Sequence, residues 1–149
     1  MYRILVLLLL LYSCSVHATW LDIHLTSVHQ YSTYEHNNID KPINQNNFGI
    51  GLSFKYSQSI DIAVGYYRNS IDHPSTYVGG SIHTSNKYLN FNVCMGLVTG
   101  YEELDRIGLI VPIILPGISV TYNRVKLRVG IIPVGGNPAL TFTTSLLFK

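Results

Sequence analysis

A serine hydroxyl does acyl chemistry near neutral pH only when a neighbouring group can exchange a proton with it, and histidine is the side chain suited to that. His29 and Ser70 are the pair in this chain that fits. Each closes a stretch in which apolar and polar residues alternate, so each stands at the outer end of a strand. Their strands would be first and third in sequence, with one strand between them, close enough for the side chains to converge. The types and spacing suit transfer or hydrolysis of an acyl group. Taken on pattern alone, a histidine at a polar rim and a serine in a loop read more simply as ordinary rim residues.

Other chemistries find less support. No His-x-x-x-His pair or His/Cys cluster has metal-ligand spacing, so no metal and no cofactor is expected. The glycines alternate within strands and do not form a phosphate-binding loop. No Lys/Arg run offers phosphates a counter-charge, which argues against nucleic acid. Two cysteines make neither a disulfide scaffold nor a Cys-rich metal site.

The elements that must position His29 and Ser70 follow from composition and pattern. The 149 residues suit one domain. Hydrophobic residues reach 47 % while charged residues are 12 %, about half the roughly 25 % of soluble domains. Intrinsic disorder is excluded by that balance. Residues 1–18 read as a cleaved signal: Arg3 is basic, Ile4 to Tyr12 is apolar and too short to span a bilayer, and Val16-His17-Ala18 supplies small residues for cleavage. Leu11-Tyr12-Ser13-Cys14 is a weaker match to a lipid-attachment box at Cys14. The domain is then residues 19–149.

Beyond that segment no apolar run reaches about 18 residues, so no transmembrane helix is expected. Period-two alternation recurs instead, in eight segments. Leu21, Ile23 and Leu25 alternate with Asp22, His24 and Thr26; Ile50, Leu52 and Phe54 with Gly51, Ser53 and Lys55; Val125, Leu127 and Val129 with Lys126 and Arg128. The large apolar face carries almost no charge, and the charges share their face with Gly, Ser and Asn. That is inverted relative to a soluble sheet and predicts an all-β, eight-stranded antiparallel transmembrane barrel, apolar outside and polar within. Asp22, Asp61, Lys55, Lys126 and Arg128 would form ion pairs in the lower lumen. Short connections at 57–59, 84–87 and 123–124 alternate with longer ones, as turns and outer loops do. Tyr56, Tyr88 and Tyr122 flank the short turns and would form an aromatic girdle; Tyr31, Tyr66, Tyr77 and Tyr101 lie toward the other rim.

From Leu25 onward the chain resembles the lipid A palmitoyltransferase (PagP) family. The resemblance is carried by Thr26-Ser27-Val28-His29 and Asn47-Phe48-Gly49-Ile50-Gly51-Leu52-Ser53. Tyr67-Arg68-Asn69-Ser70 and Val78-Gly79-Gly80 continue it, then Gly96-Leu97-Val98-Thr99-Gly100, Val111-Pro112-Ile113-Ile114-Leu115-Pro116 and Ile131-Ile132-Pro133. It implies an outer-membrane acyltransferase, moving a fatty acyl chain from a phospholipid to lipid A, with the loops and site facing the exterior. The protein would be monomeric and without cofactor. His29 would be the base, Ser70 the reactive or polarising hydroxyl, and Asn69 the orienting group where the family has Asp; an aspartate restored there would preserve or raise activity. Asp72, or less well Glu35 or Asp40, could substitute for that carboxylate, although each reads more simply as a solvated loop residue. Ser81 falls on the glycine that measures acyl length in the family. Pro112, Pro116 and Pro133 match a lateral gate, since each lacks a ladder donor. His24 and Asn47 replace the prolines of a second gate, and the family's helix before the first strand is missing. Two further readings stand beside the enzyme: a non-catalytic small barrel with a surface-binding or structural role, and a lipid A deacylase.

Overall fold

The computed structural model describes residues 19–36, 39–101, 110–133 and 138–148. The expected signal, with Cys14, lies outside them. Ten strands follow in order: β1 (Thr19–His29), β2 (Thr33–His36), β3 (Ile39–Pro42), β4 (Gly49–Lys55), β5 (Ile60–Arg68), β6 (Pro74–His83), β7 (Leu89–Thr99), β8 (Ile110–Tyr122), β9 (Val125–Ile132) and β10 (Ala139–Phe148). Eight of them close a barrel in the order β1-β10-β9-β8-β7-β6-β5-β4, every neighbour antiparallel. The eight alternating segments are these eight strands. The hairpin β2–β3 stands apart in the first long loop and was not expected from the pattern.

The barrel is turned inside out with respect to a soluble core. Its buried side chains are mostly polar: Asp22, Ser53, Asp61, Ser81, Asn92 and Ser145 face inward. Ile50, Ile62, Val64, Phe91, Ile114 and Leu127 face outward and exposed. In water such a surface would be untenable over this area; in a bilayer it is the solvated one, and closure leaves no unpaired edge in hydrocarbon. Tyr56, Tyr88, Tyr122 and Phe148 stand exposed at the short-turn end as a girdle. At the other end Tyr31 and Tyr66 face out, whereas Tyr77 and Tyr101 line the interior. Asn123 takes a φ of 53° in the tight turn between β8 and β9, which asparagine tolerates better than most residues.

Three departures from regular pairing shape the outer half. In β1 the register with β10 slips between His24 and Thr26. The bulge reverses the alternation, so Ser27 is buried and Val28 exposed. β1 pairs with β4 only from Thr19↔Phe54 to His24↔Gly49. β8 pairs with β7 from Ile110↔Thr99 to Val120↔Leu89, but with β9 only from Gly117↔Gly130 to Tyr122↔Val125. Pro112 and Pro116 lie in the stretch of β8 without a β9 ladder, and Pro133 follows the end of β9.

A closed barrel in detergent is expected to give a β-rich circular dichroism spectrum and to migrate faster unheated than boiled on a gel. Substantial helix in the spectrum would contradict the fold.

Candidate functional site

The β1 bulge is what brings His29 inward. Strict alternation from Leu21, Ile23 and Leu25 would send residue 29 toward lipid; the added residue re-aims the end of the strand. The His29 ring then meets Ser70, with Nε2 and the serine Oγ 2.9 Å apart. The same nitrogen lies 2.9 Å from Ser27 Oγ. Ser27, 2 % exposed, donates its hydroxyl to Asn47 Oδ1. The Asn47 amide is fixed from behind, because its Nδ2 donates to the carbonyls of Arg68 at 3.1 Å and Asn44 at 3.4 Å. With the Ser27 proton engaged, the Ser27 oxygen is left to accept from His29, which favours the imidazole tautomer protonated on Nε2. The Ser70 proton is then free for a third group. His29 Nδ1 is buried without a partner among the described residues.

Ser70 is presented by a tight loop built on Asn69. That side chain is wholly buried. Its Oδ1 accepts from the backbone N–H of Ile71 at 3.0 Å and of His73 at 2.9 Å. Its Nδ2 donates to Ser75 Oγ at 2.9 Å and to the Gly100 carbonyl at 2.5 Å. Gly100 has a φ of 86°, and a Cβ there would press on the Pro74 carbonyl and on Ser75 Oγ, so the approach requires glycine. The Ser70 carbonyl accepts the Asn44 N–H at 2.8 Å. Asn69 therefore does not orient the imidazole, as its place in the sequence suggested. All its hydrogen-bonding atoms hold the loop that carries Ser70.

Asp72 does not take over that role. It sits at a φ of 64° and clasps Arg68, at 2.5 Å to Nε and 3.0 Å to Nη2, in an exposed pair. The guanidinium holds its carboxyl below the ordinary aspartate value. Asp40 is exposed in β3. No cluster of three metal-ligating side chains occurs among the described residues.

Beneath the pair lies a cavity of about 150 Å³. Ser27, Asn47 and Ser70 line its mouth; Val98, Ile113, Leu115 and Ile132 give it apolar walls; Asp22, Ser81 and Arg128 lie at its inner end. Across one side runs a polar bar: Tyr77 Oη is 2.9 Å from His24 Nε2, and His24 Nδ1 is 3.3 Å from Thr143 Oγ1. Tyr77 lies so close over Gly51 and Gly65 that a side chain at either would displace it. Ser81, 5 % exposed, pairs with Asp61 on β5 and Cys94 on β7. The unpaired stretch of β8 with Pro112 and Pro116 flanks the same cavity through Ile113 and Leu115.

The fold is that of transmembrane eight-stranded barrels. A de novo designed transmembrane β-barrel aligns with a TM-score of 0.63 at 14 % identity, over 88 % of this chain and 95 % of the design. The N-terminal barrel domain of Pseudomonas aeruginosa OprF aligns with a TM-score of 0.53 at 10 % identity, over 88 % of this chain and 97 % of that domain. No family model and no curated protein matches the sequence. These likenesses support the architecture and do not point to lipid A chemistry.

The site residues named from the sequence fall into three groups. His29 and Ser70 meet; Asn69 is adjacent but turned to the loop; Ser81 and the proline stretch border the cavity below. Ser27 and Asn47, which buttress the imidazole, were not singled out for that role. Only the bulge puts Ser27 on the inner face, and alternation alone had Thr26 there.

Proposed function

We propose that the protein is an outer-membrane acyltransferase that moves a fatty acyl chain from a phospholipid to lipid A, with its loops toward the exterior. The observation that carries this reading is the 2.9 Å contact between His29 and Ser70 at the mouth of an apolar-walled cavity. Single-chain transmembrane barrels of this kind belong to the bacterial outer membrane. The acyl chain of the donor would lie in the cavity and enter where the β8–β9 ladder is interrupted. The free Ser70 proton would polarise the ester carbonyl. His29, through the unprotonated and unpartnered Nδ1 of the tautomer protonated on Nε2, would take the proton of the attacking lipid A hydroxyl as the new ester bond forms, and return it to the departing glycerol oxygen.

The non-catalytic barrel is the second reading, favoured by Asn69, whose side chain leaves His29 without a hydrogen-bonded carboxylate among the described residues. Mass spectrometry of lipid A from cells with and without the protein separates the cases. A gained acyl chain supports transfer, a lost one makes the protein a deacylase, and an unchanged pattern favours the non-catalytic barrel.

Acyl length gives a further test. Ser81 adds a hydroxyl at the inner end of the cavity, and a terminal methyl beside it is disfavoured. The preferred donor chain is expected to be shorter than palmitate by roughly one or a few methylenes, each worth about 0.8 kcal/mol of burial. Ser81→Gly should lengthen it. An unchanged chain-length profile in an active Ser81→Gly variant would remove Ser81 from that role.

A further inference from the structure

Among the described residues, Arg128 is an inward-facing charged group that the fold leaves unpaired. It stands on β9 opposite Ser119 of β8 and Thr143 of β10. It lines the upper cavity and also a polar vestibule of about 570 Å³ that opens among the short turns. The other lumen charges near it have partners. Lys126 lies 3.5 Å from Asp61 and 4.2 Å from the centre of the Trp20 ring. His83 is 3.5 Å from the same Asp61. The two oxygens of Asp22 accept the hydroxyls of Ser53 and Ser145. Arg128 makes no hydrogen bond or ion pair to a described residue, and its Nε is buried without an acceptor.

An arginine in that position calls for an explanation, because buried donors are otherwise almost always matched. A guanidinium presents its donors as a planar fork, and the groups that fit the fork are a carboxylate or a phosphate. Two features narrow the ligand. Outward from Arg128 the cavity wall turns apolar, through Cys94, Leu115, Ile113 and Ile132. Arg128 and Ile132 are four residues apart, about 13 Å of strand, so a ligand reaching the mouth needs a hydrocarbon chain behind its charged head. Asp22 also lines this cavity, and its negative charge disfavours a dianion beside Arg128 more than a monoanion.

We propose that the upper cavity binds an alkyl carboxylate of medium chain length, a free fatty acid, with its head on Arg128 and its chain along the apolar wall toward the mouth. This orientation is opposite to that of an acyl donor, whose methyl end would point inward. The proposal does not rest on acyl transfer: it holds for a catalytic or a non-catalytic barrel.

The test uses octanoate labelled with ¹³C at the carboxyl carbon and the protein in phosphatidylcholine nanodiscs. A saturable carboxyl resonance is expected, distinct from that in protein-free nanodiscs and ionised to lower pH than the lipid-dissolved acid. Arg128→Gln should weaken binding at least tenfold, with Arg128→Lys in between, while both variants keep the fast mobility of a folded barrel on unheated gels. Octanol should not displace the label. Failure of wild type to bind octanoate, equal binding by a folded Arg128→Gln variant, or displacement by octanol as effective as by unlabelled octanoate overturns the proposal. Displacement by inorganic phosphate at similar concentration also overturns it, and would move the ligand to the polar vestibule.

Discussion

The proposed acyl transfer is expected to fall about 10²- to 10⁴-fold when His29 is replaced by alanine, the range by which a positioned acid–base group accelerates such steps. The imidazole Nε2 touches Ser70, and Ser27, itself held by Asn47, meets the same nitrogen. Its loss removes both the proton carrier and one anchor of the Ser70 hydroxyl. Ser70→Ala should cost a comparable factor. Groups that act as one unit are not additive, so the double variant should lie close to the worse single one. The barrel should survive these changes, because β1 stays laddered to β10 through Ala139. The check is an initial rate of acyl transfer in mixed micelles, run beside an unheated gel for folding. Transfer by a folded His29→Ala protein at the wild-type rate would remove His29 from the chemistry.

The fold was legible because lipid makes a strong demand on sequence. A strand with hydrocarbon on one side and a packed lumen on the other must alternate, and Ile60 to Tyr67 or Leu89 to Leu97 can be read residue by residue. The site was legible only in part. Strict alternation places residue 29 on the lipid side of β1, and only the bulge between His24 and Thr26 corrects it. A bulge adds one residue without a compositional mark, so the period alone cannot announce it. The hairpin β2–β3 is four residues a strand, too short for periodicity to stand out. The lumen charges show a third limit. Alternation placed Asp22, Asp61, Lys126 and Arg128 inside correctly, but which pairs form depends on barrel register. Asp61 takes Lys126, Asp22 is held by serines, and Arg128 is left over.

Asn69 shows most sharply how position along the chain differs from role, and its replacement by aspartate is the second large effect expected. Restoring the carboxylate that the resembled family carries there should destabilise the outer loop by about 3 kcal/mol near neutral pH, the scale of an uncompensated buried charge. Asparagine fits because its amide nitrogen donates to the Gly100 carbonyl and to Ser75, while its oxygen accepts from Ile71 and His73. Aspartate keeps the second pair and turns the first into an anion against a carbonyl oxygen. Ser75 can relieve its part only by giving up its 2.6 Å bond to the Thr99 carbonyl. Gly100 cannot turn away, since its carbonyl is set by a backbone at positive φ. A proton on the aspartate restores one donor, so the folded loop should hold that proton above the ordinary aspartate range. The sign follows from linkage: the folded variant binds more protons than the opened one between the two pKa values, so stability falls as pH rises through that window. The defect should be smallest below about pH 4, where the unfolded carboxyl is also protonated, and largest near pH 7. Cleavage at Arg68, at the edge of this loop, reports its local opening. Cleavage there by trypsin at pH 7 should be about a hundredfold faster in Asn69→Asp than in wild type, and acyl transfer should fall with it because Ser70 is no longer held. Isotope exchange of the Ile71 and His73 amides, followed from pH 4 to pH 7, gives the pH dependence. If the loop of Asn69→Asp is as well protected at pH 7 as the wild-type loop, the hydrogen-bond assignment at Asn69 is wrong, and the residue is again available to orient His29.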